Sequence, residues 1–262
     1  MSLFESGLGR TELSDSPMAP FPPEPPSSGS LPSGNSQDEV EIPLRPGLSL
    51  PGTLWLPHKP RGIVVFAHGS GSSRHSPRNR YVASVLVEAG FAALLFDLLT
   101  GLEASDRRKV FDIELLADRL VQAATWAVQQ PRITGLPCGL FGASTGSAAA
   151  LLAAASHPSL VAAIVSRGGR PDLASQDLPF VRAPTLLIVG ENDEPVLTWN
   201  RQAFDLLTCP KELVVIPGAT HLFEEPGALE QVAELARDWF LRYLLSPSPP
   251  PPDDIPKVED WV

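Results

Sequence analysis

Two kinds of hydrophobic pattern alternate along this chain. The first is the short, continuously apolar run: Ile63-Val64-Val65-Phe66 within 62–67, and 92–96, 136–141, 160–166, 184–189 and 212–216. Most of these lack the in–out alternation of a strand with one wet face. They predict parallel strands covered on both sides. The second is the longer stretch whose apolar residues return every three or four positions. Residues 110–130 place Ile113, Leu116, Leu120, Ala124 and Ala127 on one stripe. Residues 227–245 do the same with Leu229, Val232, Leu235, Ala236, Trp239 and Phe240. That spacing predicts amphipathic helices. Shorter helices are expected over 81–89, over 195–207 and from the Ala/Leu-rich run 148–155 to about Ser156. Strict alternation occurs near the start, where Val40, Ile42 and Leu44 share one face and Leu50, Leu54 and Leu56 another. The turn Arg45-Pro46-Gly47 between them predicts a hairpin. Residues 98–108 and 167–181 read as loops.

Strands alternating with helices define an α/β fold with a mostly parallel central sheet of about seven or eight strands, flanked by helices. The ordered core is a single domain over 38–245, with no room for a large lid domain. The 29 prolines of the 262 residues concentrate at the two ends. Residues 1–37 are rich in Pro, Ser and Gly and hold Phe21-Pro22-Pro23-Glu24-Pro25-Pro26; residues 246–262 are a proline run followed by an acidic tail. Residues 1–37 cannot bury enough apolar surface to order themselves, so a disordered arm is expected, and the tail is expected to be solvated.

A formal net charge of −10 argues against nonspecific nucleic-acid binding. No apolar run approaches the roughly 18–20 residues of a membrane span, and 1–10 lack the basic-then-apolar order of a secretory signal. Two cysteines, Cys138 and Cys209, provide neither a disulfide framework nor metal spacing. Cys138 is expected as a small apolar filler in a buried strand. A cytoplasmic protein with no cofactor and a small-molecule partner is the expectation these features leave.

The chemistry gathers where strands are expected to end, which is where ligands bind in open α/β sheets. His68, Asp97, Ser144, Arg167, Asp193 and His221 all fall at such ends. Gly142-Ala143-Ser144-Thr145-Gly146 is a G-x-S-x-G between an apolar run and a strong helix former. It reads as a nucleophile elbow, or as an ordinary strand–helix turn with a capping serine. A serine nucleophile needs a base within reach and an acid to orient that base. Ser144, Asp193 and His221 stand in the nucleophile–acid–histidine order. Glu191 and Glu194 compete with Asp193, and Asp172 is a reserve acid.

These motifs resemble the α/β-hydrolase fold: Gly142–Gly146, His68-Gly69-Ser70-Gly71, Gly190-Glu191-Asn192-Asp193-Glu194-Pro195-Val196 and Gly218-Ala219-Thr220-His221-Leu222-Phe223. The resemblance is strongest to the dienelactone-hydrolase-like group of small hydrolases and spans the ordered core. It implies that Ser144 attacks a carbonyl, His221 moves its proton and Asp193 holds the imidazole tautomer. It also implies an oxyanion hole from the N–H groups of Thr145 and of Gly69 or Ser70, with His68 bracing that loop. Dienelactone hydrolases proper use a cysteine where this chain has Ser144, a departure that bears on the substrate. The tract Ser166-Arg167-Gly168-Gly169-Arg170-Pro171-Asp172-Leu173 also resembles hydrolase-like domains found beside phosphoribosyltransferase domains.

Four arginines are expected around the same mouth: Arg74 and Arg78 after the oxyanion loop, Arg167 and Arg170 after the strand beside the elbow. They either hold an acidic substrate or pair with Asp97, Asp106 or Asp172 to brace loops. Two functional classes follow: a serine hydrolase of esterase type acting on a small soluble ester, or a catalytically idle hydrolase fold used for binding.

Overall fold

A computed structural model describes residues 35–45 and 47–245; residues 1–34, Pro46 and 246–262, on which most of the expected arm, the tail and one turn residue fall, lie outside the described residues. In chain order the elements are β1 (Ser36–Arg45), β2 (Leu48–Leu56), β3 (Ile63–Ala67), α1 (Pro77–Glu88), β4 (Ala92–Phe96), α2 (Gly101–Ala104), α3 (Arg107–Val110) and α4 (Ile113–Val128). They continue with β5 (Cys138–Ala143), α5 (Thr145–Ser156), β6 (Ala163–Arg167), β7 (Thr185–Gly190), α6 (Val196–Leu206), β8 (Lys211–Ile216) and α7 (Ala228–Leu244).

The eight strands form one sheet in the order β1-β2-β4-β3-β5-β6-β7-β8. The β1–β2 hairpin and its β2–β4 junction are antiparallel, and the rest is parallel. Strands β3 to β7 are buried along their whole length, as their continuous apolar runs require. Alternate residues serve opposite faces. Ile63, Val65 and Ala67 join the layer that carries α4 and α5 residues, while Val64 and Phe66 join the layer built with α1 and α7. Gly139 in β5 lets α7 approach closely, since a Cβ there would lie 2.6 Å from Phe240 Cε1.

Several boundaries differ from the sequence expectation, and three of them have a clear local cause. Helix α1 starts at Pro77, not at residue 81, because Ser76 caps it by accepting the Asn79 N–H and Pro77 is preset for the first helical position. The stretch expected as a loop over 98–108 holds two short helices. Thr100 and Glu103 form a reciprocal capping box that starts the first of them, and Asp106 caps the second. Arg167 belongs to β6, paired across from Ala143 and Ile188, rather than to the following loop. Between β6 and β7 the chain makes two 3-10 turns, Pro171–Ala174 and Leu178–Phe180, and no lid domain.

The β5–α5 elbow is closed by backbone on both sides. A Cβ on Gly146 would lie 2.2 Å from the Ala67 carbonyl oxygen of β3, and one on Gly142 would lie 2.5 Å from Ser147 Cα. Both neighbours are backbone and cannot swing aside. Gly146→Ala is therefore expected to cost roughly 3 kcal/mol or more, lowering Tm by about 6 °C or more in a thermal melt. An unchanged Tm would show that the strand end can give way.

Candidate active site

Ser144 stands between β5 and α5 with φ 52° and ψ −122°. Phe223 is the other non-glycine residue at positive φ among the described residues. Such a conformation is costly for a side-chain-bearing residue and persists where its surroundings impose it. Here the surroundings are explicit. The Ser144 N–H donates to the Arg167 carbonyl at 3.2 Å, and the Ser144 carbonyl accepts the Ser147 N–H at 3.0 Å and the Arg170 N–H at 3.1 Å. Ser144 makes no side-chain capping bond, so its hydroxyl is not the cap of an ordinary helix start.

Two further strand ends bring Asp193 and His221 together. The turn after β7 is stapled to the one after β8 by Glu191 N–H to the Ile216 carbonyl (3.0 Å) and Asn192 N–H to the Ala219 carbonyl (2.9 Å). Gly190 permits this, because a Cβ on it would sit 2.3 Å from the Ala219 oxygen. The result is a 2.8 Å hydrogen bond between His221 Nδ1 and Asp193 Oδ2. Asp193 is buried, whereas the His221 side chain is 39% exposed, so the acid is held while part of the ring faces solvent. Gly168 packs on that ring; a Cβ there would lie 3.4 Å from His221 Nδ1. The competing acids are engaged elsewhere. Glu191 accepts the Gly218 N–H, Glu194 accepts the Thr198 hydroxyl, and Asp172 pairs with Arg170.

The loop after β3 faces the elbow. Gly69 approaches so closely that a Cβ would lie 3.0 Å from Ser144 Cβ. The Thr145 N–H opens α5 and has no acceptor within the helix. Of the two loop N–H groups expected as oxyanion donors, that of Ser70 donates to Thr145 Oγ1 at 2.9 Å. Sequence reasoning had no means of finding that bond, which joins residues 75 positions apart. His68 braces the loop. Its Nε2 accepts the Leu98 N–H at 3.1 Å, which puts the proton on Nδ1, and Nδ1 donates to the Gly69 carbonyl at 2.9 Å. Asp97 adds a second brace, accepting the Arg74 N–H at 2.7 Å and Arg74 Nη1 at 2.5 Å. A cavity of about 200 Å³ opens beside this loop and Thr145, walled by Leu98, Leu99, Val110 and Leu116.

The four expected arginines separate into two kinds. Arg74 is paired with Asp97 and lies 3.7 Å from Glu39. Arg170 forms a two-point pair with Asp172 and stacks over Trp199, 4.1 Å from the ring centroid. Both brace loops. Arg78 reaches only the half-exposed Glu224, and Arg167 is buried with no acid beside it among the described residues. Cys138 is also buried, which pushes its thiol up to about 12 and leaves it inert. Among the described residues no group of three His, Cys, Asp or Glu side chains converges as a metal ion would need. No helix among them is long and apolar enough to cross a membrane.

This arrangement, an eight-stranded sheet with a serine elbow and an acid–histidine pair beyond its strand ends, is that of an α/β-hydrolase. The dienelactone hydrolase family model matches residues 50–244, so the chain belongs to that family and is a hydrolase by fold and family. Over 80% of its length it is 54% identical to a dienelactone hydrolase from Anabaena variabilis, covering 99% of that structure at a TM-score of 0.77. Est1E from Butyrivibrio proteoclasticus shares the fold at 18% identity, with a TM-score of 0.66 over 78% of this chain and 98% of its own. Two Mycobacterium tuberculosis proteins, each named "Putative phosphoribosyl transferase", are 59% identical over 212 residues, which is 81% of this chain. The chain spans about half the length, 48%, of these curated relatives.

His68 has a consequence for stability. Burial, the larger effect, lowers its pKa below 6.5, against the opposing Gly69 hydrogen bond and Asp97 charge. The folded state thus binds fewer protons than the unfolded state between the lowered value and 6.5. The contribution of His68 is complete above 6.5 and is lost as pH falls through that window. Thermal melts of the native protein should show Tm dropping as pH goes from about 7.5 to about 5.5, with a shallower slope in His68→Gln. Equal slopes would exclude His68 as the titrating brace.

Proposed function

We propose that this protein is a serine hydrolase of esterase type, acting on a small-molecule carboxylic ester through an acyl-enzyme. The observation that carries the reading is the 2.8 Å Asp193–His221 bond, set beyond the same sheet edge as a serine forced to positive φ. In this scheme Ser144 Oγ attacks the ester carbonyl while His221 Nε2 takes its proton. Asp193 keeps the Nδ1–H tautomer in place and stabilises the imidazolium that forms. The carbonyl oxygen gains its negative charge facing the Thr145 N–H and that of Gly69 or Ser70, the latter after release from the Thr145 hydroxyl. The C–O bond breaks, the proton on His221 goes to the leaving alcohol, and water deacylates Ser144 by the same route in reverse. The cavity walled by Leu98, Leu99, Val110 and Leu116 fits a small apolar portion of such a substrate.

The transferase name of the mycobacterial relatives attaches to chains of which the shared part is 48%, and it does not travel with the hydrolase fold.

A fluorophosphonate probe should label the native protein and fail to label Ser144→Ala. On a panel of short-chain esters Ser144→Ala or His221→Ala should lower kcat by about 10⁴-fold or more, and Asp193→Asn by about 10⁴-fold. Circular dichroism checks that each variant is folded. Undiminished labelling of Ser144→Ala, or a native protein that no probe labels, would favour a binding protein built on an idle hydrolase fold.

A further inference from the structure

One wall of the cavity is held in place by charge rather than by burial. Gly101 and Ala104 of α2 and Val110 of α3 line it together with Leu98, Leu99 and Leu116. Yet neither α2 nor α3 has a buried residue. Leu102 is 90% exposed, and Phe111, just past α3, is 45% exposed with Arg107 over its ring. Helices of four residues are not stable by themselves, and apolar burial does not secure these two. The next helix differs: α4 buries Leu116, Leu120, Ala124 and Ala127 in the core.

A single carboxylate ties the two short helices down. Glu103 Oε2 accepts the Thr100 N–H and the Thr100 hydroxyl, each at 3.0 Å. Glu103 Oε1 accepts Lys109 Nζ of α3 at 3.3 Å and Arg119 Nη2 of α4 at 3.4 Å. The Glu103 and Arg119 side chains are 15% and 9% exposed, so the pair is shielded from solvent. Glu103 is the one acid that Arg119 meets among the described residues, and Arg119 Nε is buried without a partner. Such a pair is screened little by salt, and removing one member strands the charge of the other. Arg119 stands three residues after Leu116 on α4, so the two share a helix face. The face that walls the cavity therefore also anchors its cover. No step of the ester hydrolysis proposed above uses this cluster.

We propose that the Glu103–Arg119 pair determines how large an apolar group the cavity admits, by pinning 100–110 against α4. With the pair intact, Gly101, Ala104 and Val110 limit the cavity to about 200 Å³, room for a short acyl or alkyl group. With the pair broken, α2 and α3 lift away and the cavity extends to admit a longer chain. Glu103 and Arg119 are positioning residues that touch no substrate. This rests on the esterase reading of the same site. A merely structural ion pair would support the fold and leave selectivity alone.

Three measurements separate the two roles. In otherwise native protein, Glu103→Gln or Arg119→Met should raise the ratio of kcat/KM for p-nitrophenyl octanoate to that for p-nitrophenyl acetate about tenfold, chiefly through KM. Arg119→Lys, which keeps the charge, should hold the ratio near its native value. In Ser144→Ala, adding either of the first two changes should tighten methyl octanoate relative to methyl butyrate about tenfold in a calorimetric titration. Trypsin should cut after Arg107 and Arg108 about tenfold faster in both variants. Arg119→Met serves if Glu103→Gln does not fold. Equal effects on the two chain lengths, in turnover or in binding, or unchanged cutting by trypsin, overturn the proposal. A protein that hydrolyses neither ester, yet gains affinity for methyl octanoate when the pair is broken, upholds the cover and removes the esterase reading instead.

Discussion

Backbone pressed against backbone at the carboxyl edge of the sheet is the constraint from which the rest of this molecule follows. At Gly146 and Gly190 a side chain would collide with a main-chain oxygen of the neighbouring strand end or turn. Because neither carries one, the β3, β5, β7 and β8 ends close to within contact distance. That closeness forces Ser144 to positive φ and brings Asp193 to 2.8 Å from His221. Loosening any of these contacts would separate groups that act only at hydrogen-bond range.

The electrostatics of the site follow the same economy of position. Acids and bases near the mouth are mostly spent on each other or on backbone: Asp97 on Arg74, Asp172 on Arg170, Glu191 on the Gly218 N–H. Partial burial of His68 disfavours its charged form, and so it serves as a neutral two-sided brace with one donor and one acceptor. What carries no hydrogen-bonding side-chain partner there, among the described residues, is a short set: the Ser144 hydroxyl and the Arg167 guanidinium, beside a His221 ring that is partly exposed. A site left with one unpartnered hydroxyl, one half-exposed imidazole and one buried cation is narrowly equipped. It sits on a fold that family relatives use in hydrolases.

The extent to which this was readable in advance differs from one element to another. Runs such as Ile63–Ala67 and Leu186–Val189 are strands for the plain reason that four or five apolar residues in a row, flanked by glycine, proline or polar residues, are best satisfied between two layers. The amphipathic stripe of α7 was equally plain. The elements misjudged were those begun by a cap. Ser76-Pro77 and Thr100-x-x-Glu103 are local start signals, yet they carry little apolar periodicity, and periodicity dominates a reading by pattern.

At the site the division is sharper. By itself the amino-acid order determined the residue types and their succession: a serine between two glycines, then an acid after a strand, then a histidine after the next. It also determined that all three stand at strand ends, since strand and loop are local properties. Which acid meets the histidine, which arginines are neutralised and which N–H the Thr145 hydroxyl engages were decided only in the folded chain. Those outcomes depend on distances between residues tens of positions apart, set by how closely two backbones can approach. A hydrogen bond lost beyond about 3.5 Å leaves no trace in the spacing of letters along a chain.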